Sequence, residues 1–184
     1  MSTTPVESPE GHWWNIEVGG YEKLWLGITI FWAVILFGWM AGWTYMGDQN
    51  PTGKTIRISN EQFQDKVRSY QKQANQVSIN GVDHYVPSEN DVYIAGLRYG
   101  WAGLPVRLKA GKEYRIHLGS YDVQHGLSIR KEDTLSKQLS LQILPGYEWI
   151  VPMTFHEPGT YHVICNEFCG FGHSTMHSTF EVVE

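Results

Sequence analysis

From Leu24 to Met46 the chain carries no Asp, Glu, Lys, Arg or His, and this stretch constrains the fold more than any other. As a helix rising ~1.5 Å per residue it reaches about 35 Å, enough to cross a hydrocarbon core ~30 Å thick. A packed soluble helix is rarely apolar on every face, because it keeps one face for water. Trp13, Trp14 and Tyr21 precede the stretch and Trp43 and Tyr45 close it, as aromatic rings do at the two water boundaries of a bilayer. A cleaved signal peptide is the competing reading, and it fails on three counts. The apolar run is too long, the segment before it sets Glu7, Glu10, Glu17 and Glu22 against Lys23, and no Ala-x-Ala site follows. A tail over 1–23 and a membrane-spanning helix over 24–46 are therefore expected. Gly38 and Gly42 form a Gly-x-x-x-Gly pair, and Trp25, Trp32 and Trp39 recur at heptad spacing. Either one face packs against helices of a larger membrane subunit, or the glycines simply reflect their frequency in such helices.

Beyond the helix, Gly47-Asp-Gln-Asn-Pro-Thr-Gly53 is turn chemistry and reads as a linker. Ser59 with Gln62 resembles a capping box, and Phe63, Val67, Tyr70 and Ala74 then recur at helical spacing. An amphipathic helix from about Asn60 to Gln76 is expected, covering an apolar surface and carrying no catalytic group. From there the texture changes to short runs rich in Val, Ile, Tyr and Trp, separated by Gly, Pro, Asn and Asp. Strands are expected at Val92–Ala95, Val106–Lys109, Tyr114–Leu118, Gly126–Ile129, Leu139–Leu144, Tyr147–Pro152, Tyr161–Ile164 and Thr179–Val183. About a hundred residues of such strands make an all-β Greek-key sandwich. The domain reading is thus linker and amphipathic helix over 47–77 and sandwich over 78–184.

The chemistry is concentrated between Cys165 and Met176: Cys-Asn-Glu-Phe-Cys-Gly-Phe-Gly-His-Ser-Thr-Met. Cys165 and Cys169 are the only cysteines, and Cys-x-x-x-Cys alone outside the cytoplasm is most often a disulfide. A disulfide has no use for His173 or Met176, and a structural zinc lacks a conventional four-ligand set. Thioether sulfur suits copper, so Met176 breaks the tie among soft metals. Two thiolates in place of one point to sulfurs bridging a copper pair that holds one shared electron. Such a pair needs a second imidazole, and His125 supplies it on the turn that follows the strand-like run Glu113–Leu118. His177 is the runner-up to His173. His12, His84, His117, His156 and His162 lack sulfur neighbours and read as ordinary surface or packed imidazoles.

Ser120-x-Asp122-Val123-x-His125, Leu144-Pro145-Gly146, Glu157-Pro158-Gly159-Thr160-Tyr161 and Cys165 to Met176, in that order, resemble subunit II of the haem-copper cytochrome c oxidases over about half the chain. The resemblance implies a cupredoxin-like sandwich and two copper ions in a dinuclear CuA centre. Cys165 and Cys169 would be bridging thiolates, His125 and His173 nitrogen ligands, Met176 a weak axial ligand and Glu167 a ligand through its backbone carbonyl. The Glu167 carboxylate then either helps hold a further metal ion, as in some members, or is a solvated loop acid. Leu97–Ala102 lies where the family places aromatics near the copper pair, making Trp101, and second Tyr99, the electron-receiving contacts. The implied activity is an electron-transfer subunit: one electron arrives from cytochrome c and passes to haem in a separate catalytic subunit, where oxygen is reduced. No residue here is expected to be catalytic, and haem belongs to that partner.

Lys23 on one side of the helix against Lys54 and Arg57 on the other would by itself place the sandwich in the cytoplasm. The bias is small, and the resemblance, with one membrane helix as in the B-family oxidases, implies a cytoplasmic amino terminus and an outer, periplasmic copper domain. Beyond Leu24 there are fifteen acids against thirteen bases out of a chain total of −5. The outer domain is thus near neutral, so long-range steering of a charged partner is weak and docking falls to apolar contact. The partners expected are the bilayer, cytochrome c and the haem-bearing subunit, with no nucleic acid. The alternative is a membrane-anchored copper assembly or storage protein. A quinol oxidase subunit would lack the ligands, and a nitrous oxide reductase would need a propeller that has no room here.

Overall fold

The computed structural model describes residues 17–46, 53–134 and 138–184. Trp13, Trp14, His12, the first glutamates and the linker turn from Gly47 to Thr52 lie outside them. The first unit is a single helix, α1 (Gly20–Met46), with no buried residue and a composition and length sufficient to cross a membrane. It begins four residues before the apolar stretch and so takes in Tyr21, Glu22 and Lys23.

The second unit is a two-sheet sandwich. In chain order it comprises β1 (Lys54–Arg57), α2 (Asn60–Gln73), β2 (Asn75–Ile79), β3 (Val82–Val86), β4 (Asp91–Leu97), β5 (Gly100–Ala102) and β6 (Val106–Lys109). There follow β7 (Glu113–Ser120), β8 (His125–Lys131), β9 (Gln138–Ile143), β10 (Tyr147–Thr154), β11 (Gly159–Cys165) and β12 (His177–Val183). One sheet runs β1-β10-β7-β4-β5 and the other β2-β3-β6-β12-β11-β8-β9. Alternation puts Val92, Ile94, Ile116 and Leu118 of the first sheet against Leu127, Ile129, Val163, Phe180 and Val182 of the second. Each such side chain contributes about 1.5–3 kcal/mol by leaving water.

All eight strands expected from sequence are present, most of them two or three residues longer. Four others were not foreseen, for local reasons. β1 has one apolar residue and is an exposed edge paired with β10. β5 is three residues long. β2 and β3 form a hairpin closed by Asn80-Gly81, both at positive φ (51° and 80°), which is the Asn-Gly signature of a two-residue turn.

α2 starts with the expected capping box, Ser59 Oγ accepting from Gln62 N and Gln62 Oε1 accepting from Ser59 N. It ends at Gln73 rather than Gln76, because Ala74 turns extended and Asn75 is already paired with Val86. Phe63 and Val67 are buried with Ala95 of β4. A Cβ on Gly119 would stand 2.5 Å from the Phe63 ring, so glycine there lets the helix lie close on the outer face of the five-stranded sheet.

Candidate metal centre

β8, β11 and β12 are neighbours in the seven-stranded sheet, and their hydrogen bonding brings three chain segments to one end of the sandwich. His125 opens β8, Cys165 closes β11, and His177 opens β12 directly after Met176. His125 is therefore a strand residue rather than the turn residue expected. The ligand-rich loop joins the last two strands and is tied at its base by Cys165 N donating to Met176 O at 3.2 Å. A 3-10 turn over His173–Thr175 tightens its end.

Both thiols are free and buried. Cys165 Sγ lies 3.9 Å from His125 Nδ1 and donates to the Glu167 carbonyl at 3.2 Å. Cys169 Sγ lies 3.8 Å from His173 Nδ1 and 3.8 Å from Met176 Sδ. The ligating atoms of His125, Cys165 and Cys169 all fall within 4.8 Å of one another. The structure thus brings together all six groups expected from sequence. His177 stays apart: it is exposed, with its Nε2 2.7 Å from the Ser174 carbonyl.

The burial is graded. His125 and Met176 are fully buried, Cys165 and Cys169 nearly so, and His173 is half-buried. Burial, reinforced by the neighbouring Cys165 sulfur, pushes the Cys169 thiol up from its ordinary pKa, so without a metal the sulfur keeps its proton and a metal must displace it. The donor set of two thiols, two imidazole nitrogens, a thioether and a carbonyl suits a soft, redox-active metal.

His125 is placed by its surroundings. A Cβ on Gly96 would stand 2.7 Å from the His125 ring, so only glycine on β4 leaves room for it. His125 Nε2 donates to Asp122 Oδ1 at 2.9 Å. The same carboxylate accepts from Val123 N at 2.6 Å and Arg98 N at 2.8 Å. Burial works to raise the Asp122 carboxyl, but these hydrogen bonds outweigh it and hold the group below the ordinary range. Ser120 Oγ donates to the Val123 carbonyl and shapes the turn.

Trp101 is half-buried, packs against the sulfur cluster and donates from Nε1 to the Met176 carbonyl at 3.4 Å. Its ring centroid is 6.3 Å from that of His125. Tyr99 is 41% exposed and lies against Gly170 and Gly172 of the ligand loop. The Glu167 carboxylate is half-buried and accepts from Gln142 Nε2 at 3.1 Å. Gly96, Asp122, Phe168 and Phe171 were not singled out from sequence. Phe168 and Phe171 stand almost wholly in solvent on the loop itself, Phe168 with its ring centroid 5.9 Å from that of His173. For Asp122 the signal was the spacing Ser-x-Asp-Val-x-His, from which only the histidine was given a role.

The other histidines are ordinary packed or surface groups among the described residues. His84 is buried with Nδ1 2.9 Å from the Val82 carbonyl, and His156 is exposed. His162 lies 4.0 Å from Glu132. His117 is buried within an ion network: Nδ1 is 2.6 Å from Glu148 Oε1, Nε2 is 2.9 Å from Asp91 Oδ1, and Tyr93 stacks on the ring at 4.1 Å. Lys66 of α2 holds the other Glu148 oxygen at 2.6 Å, and Arg115 grips Asp91 with two bonds of 2.5 and 2.6 Å.

A two-sheet sandwich with sulfur and imidazole groups gathered at one end between its strands is a cupredoxin-like fold. No family profile matches the chain. It is 28% identical over 166 residues to a cytochrome c oxidase subunit 2 of Thermus thermophilus, covering 89% of this chain and 92% of that one. A second cytochrome c oxidase subunit 2 from Thermus thermophilus is 33% identical over 98 residues, 53% of this chain and 69% of its own length. A chain from the cryo-EM structure of a heme-copper terminal oxidase dimer shares the fold at a TM-score of 0.53 and 21% identity, covering 89% of this chain and 99% of that chain. The chain belongs to the cytochrome c oxidase subunit 2 family. It is a subunit of an enzyme complex, and its apolar helix fits a membrane anchor.

Proposed function

We propose that this chain is the electron-receiving subunit of a terminal cytochrome c oxidase, taking electrons one at a time from cytochrome c and passing them to haem in the catalytic membrane subunit. Cys165, Cys169, His125, His173, Met176 and the Glu167 backbone carbonyl would together hold two copper ions. Such a pair, when bound, supplies a one-electron carrier. The observation that carries this reading is the convergence of two buried free thiols, two imidazole nitrogens, a thioether and a carbonyl in a chain of this family.

The chain's own residues then act as a fixed frame. β8, β11 and β12 hold the ligands at hydrogen-bonded strand ends, and little movement on gain or loss of an electron makes transfer fast. Trp101, touching the sulfur cluster, and Tyr99, outside it, form the electron-receiving face. The amino terminus lies in the cytoplasm and the sandwich on the periplasmic side. The Glu167 carboxylate accepts a hydrogen bond from Gln142 Nε2.

Metal content and electron spin resonance of the full chain, loaded with copper in detergent, test the proposal. Two coppers per chain sharing one unpaired electron are expected, and Cys169→Ser removes the sharing. A single copper with a localised electron overturns the reading. Rapid emptying by a strong chelator would instead favour a copper-delivery or storage role.

A further inference from the structure

We infer that Asp122 is a positioning residue for His125: it fixes which edge of the imidazole faces the sulfurs and places a negative charge behind that ligand. This rests on His125 being a metal ligand. A buried imidazole can sit in two orientations related by a half-turn about its bond to Cβ. One presents Nδ1 to Cys165 Sγ, and the other presents the Cδ2 carbon, which binds nothing. Gly96 and Trp101 flank the ring and do not select between them by shape, since the two orientations occupy nearly the same volume.

The Asp122 carboxylate does select. Its Oδ1 lies 2.9 Å from Nε2, and with the ring turned over a carbon would stand there instead. An ionised carboxylate only accepts, so the proton sits on Nε2 and the Nδ1 lone pair is left pointing toward Cys165, 3.9 Å away. The carboxylate is itself immobile. Oδ1 also accepts from Val123 N at 2.6 Å and Oδ2 from Arg98 N at 2.8 Å, so it is anchored to backbone on two separate chain segments. His173 is held otherwise, its ring met by Cys169 Sγ and the Phe168 ring. The two imidazoles of the site therefore differ, one locked and one leaning on an exposed aromatic. The charge behind His125 also makes it a stronger donor, which favours the more oxidised state of a bound metal and lowers its potential.

The full chain in detergent, loaded with copper, is compared as wild type, Asp122→Asn, Asp122→Ala and Asp122→Glu. Copper affinity is read by chelator competition, reduction potential by titration followed optically, and unfolding temperature on metal-free protein. Asp122→Ala is expected to lose about 10- to 100-fold in copper affinity. Asp122→Asn, which keeps an acceptor for Nε2 but not the charge, retains most of the affinity with a higher potential. Asp122→Glu moves the potential back toward wild type. Unchanged affinity and potential in Asp122→Ala and Asp122→Asn overturn the inference, as do changes that only follow the unfolding temperature. If Asp122→Ala does not fold, the potential of Asp122→Asn decides. Wild-type chain that binds no copper would remove the underlying reading, and that failure is visible before any variant is made.

Discussion

Two buried histidines on consecutive strands, His117 on β7 and His125 on β8, meet opposite fates. Both ring nitrogens of His117 face carboxylates, Glu148 at 2.6 Å and Asp91 at 2.9 Å, and these acids are in turn held by Lys66 and Arg115. Every charge there has a partner within the chain. His125 gives one nitrogen to Asp122 and aims the other at a sulfur 3.9 Å away. The difference is between a network closed on itself and one that turns a nitrogen toward sulfur. Polar groups paired with one another hold a fold together, whereas sulfur and imidazole donors converging on one point make the kind of set that a metal would use.

The strongest way to break this comparison is to open the closed network. Glu148→Ala leaves the buried His117 Nδ1 without its carboxylate partner, while the half-exposed Lys66 turns to water, and losing one partner of a buried hydrogen bond costs about 1–3 kcal/mol. Chemical denaturation of the full chain in detergent measures that loss, and copper content should stay at the wild-type value. A loss of copper without a loss of stability would merge the two clusters. Gly96→Ala attacks the other side, since its new methyl would stand 2.7 Å from the His125 ring. Crowding of this kind costs about 1–3 kcal/mol, and here the weaker metal retention should be the plainer readout, followed by chelator competition.

The smallest effect sharpens the comparison through pH. The Arg115 hydrogen bonds, opposed by partial burial, hold Asp91 down at about 2 against an ordinary 3.8. A depressed folded-state value means stability that is fully present above the unfolded value and lost as pH falls through the folded one. Wild-type chain should therefore lose about 1 kcal/mol between roughly pH 4 and 2 from this group, after allowance for the solvent-exposed Arg115. Asp91→Asn should lack that part of the decline, as unfolding measured at several acid pH values would show.

The long apolar helix and the six groups that gather around the sulfurs were legible because their signals are local. An uninterrupted apolar stretch needs no tertiary context. Four of the ligand groups follow Cys165 within eleven residues, and His125 sits on a short motif of its own. Eight strands could be read from alternation. The edges could not: β1 alternates too weakly, and β5 is too short. The β2–β3 hairpin is marked by Asn80-Gly81, but its first residues, Asn75 and Gln76, also fit the end of the preceding helix. Residues that act on the site from elsewhere were hidden for another reason. Gly96 is informative only once β4 is known to run beside His125, and the partnership of Asp122 with Arg98 joins segments whose proximity no spacing reveals. The His117 network assembles from α2, β4, β7 and β10, so it could be read only as a packed imidazole.

The gradient of burial across the ligands also gives the site a doorway. His125, Met176 and Cys165 are closed off by the sandwich, while His173 and the two protruding phenyl rings face outward. Water therefore meets the cluster first at His173, while the side of the sandwich that carries His125 stays dry.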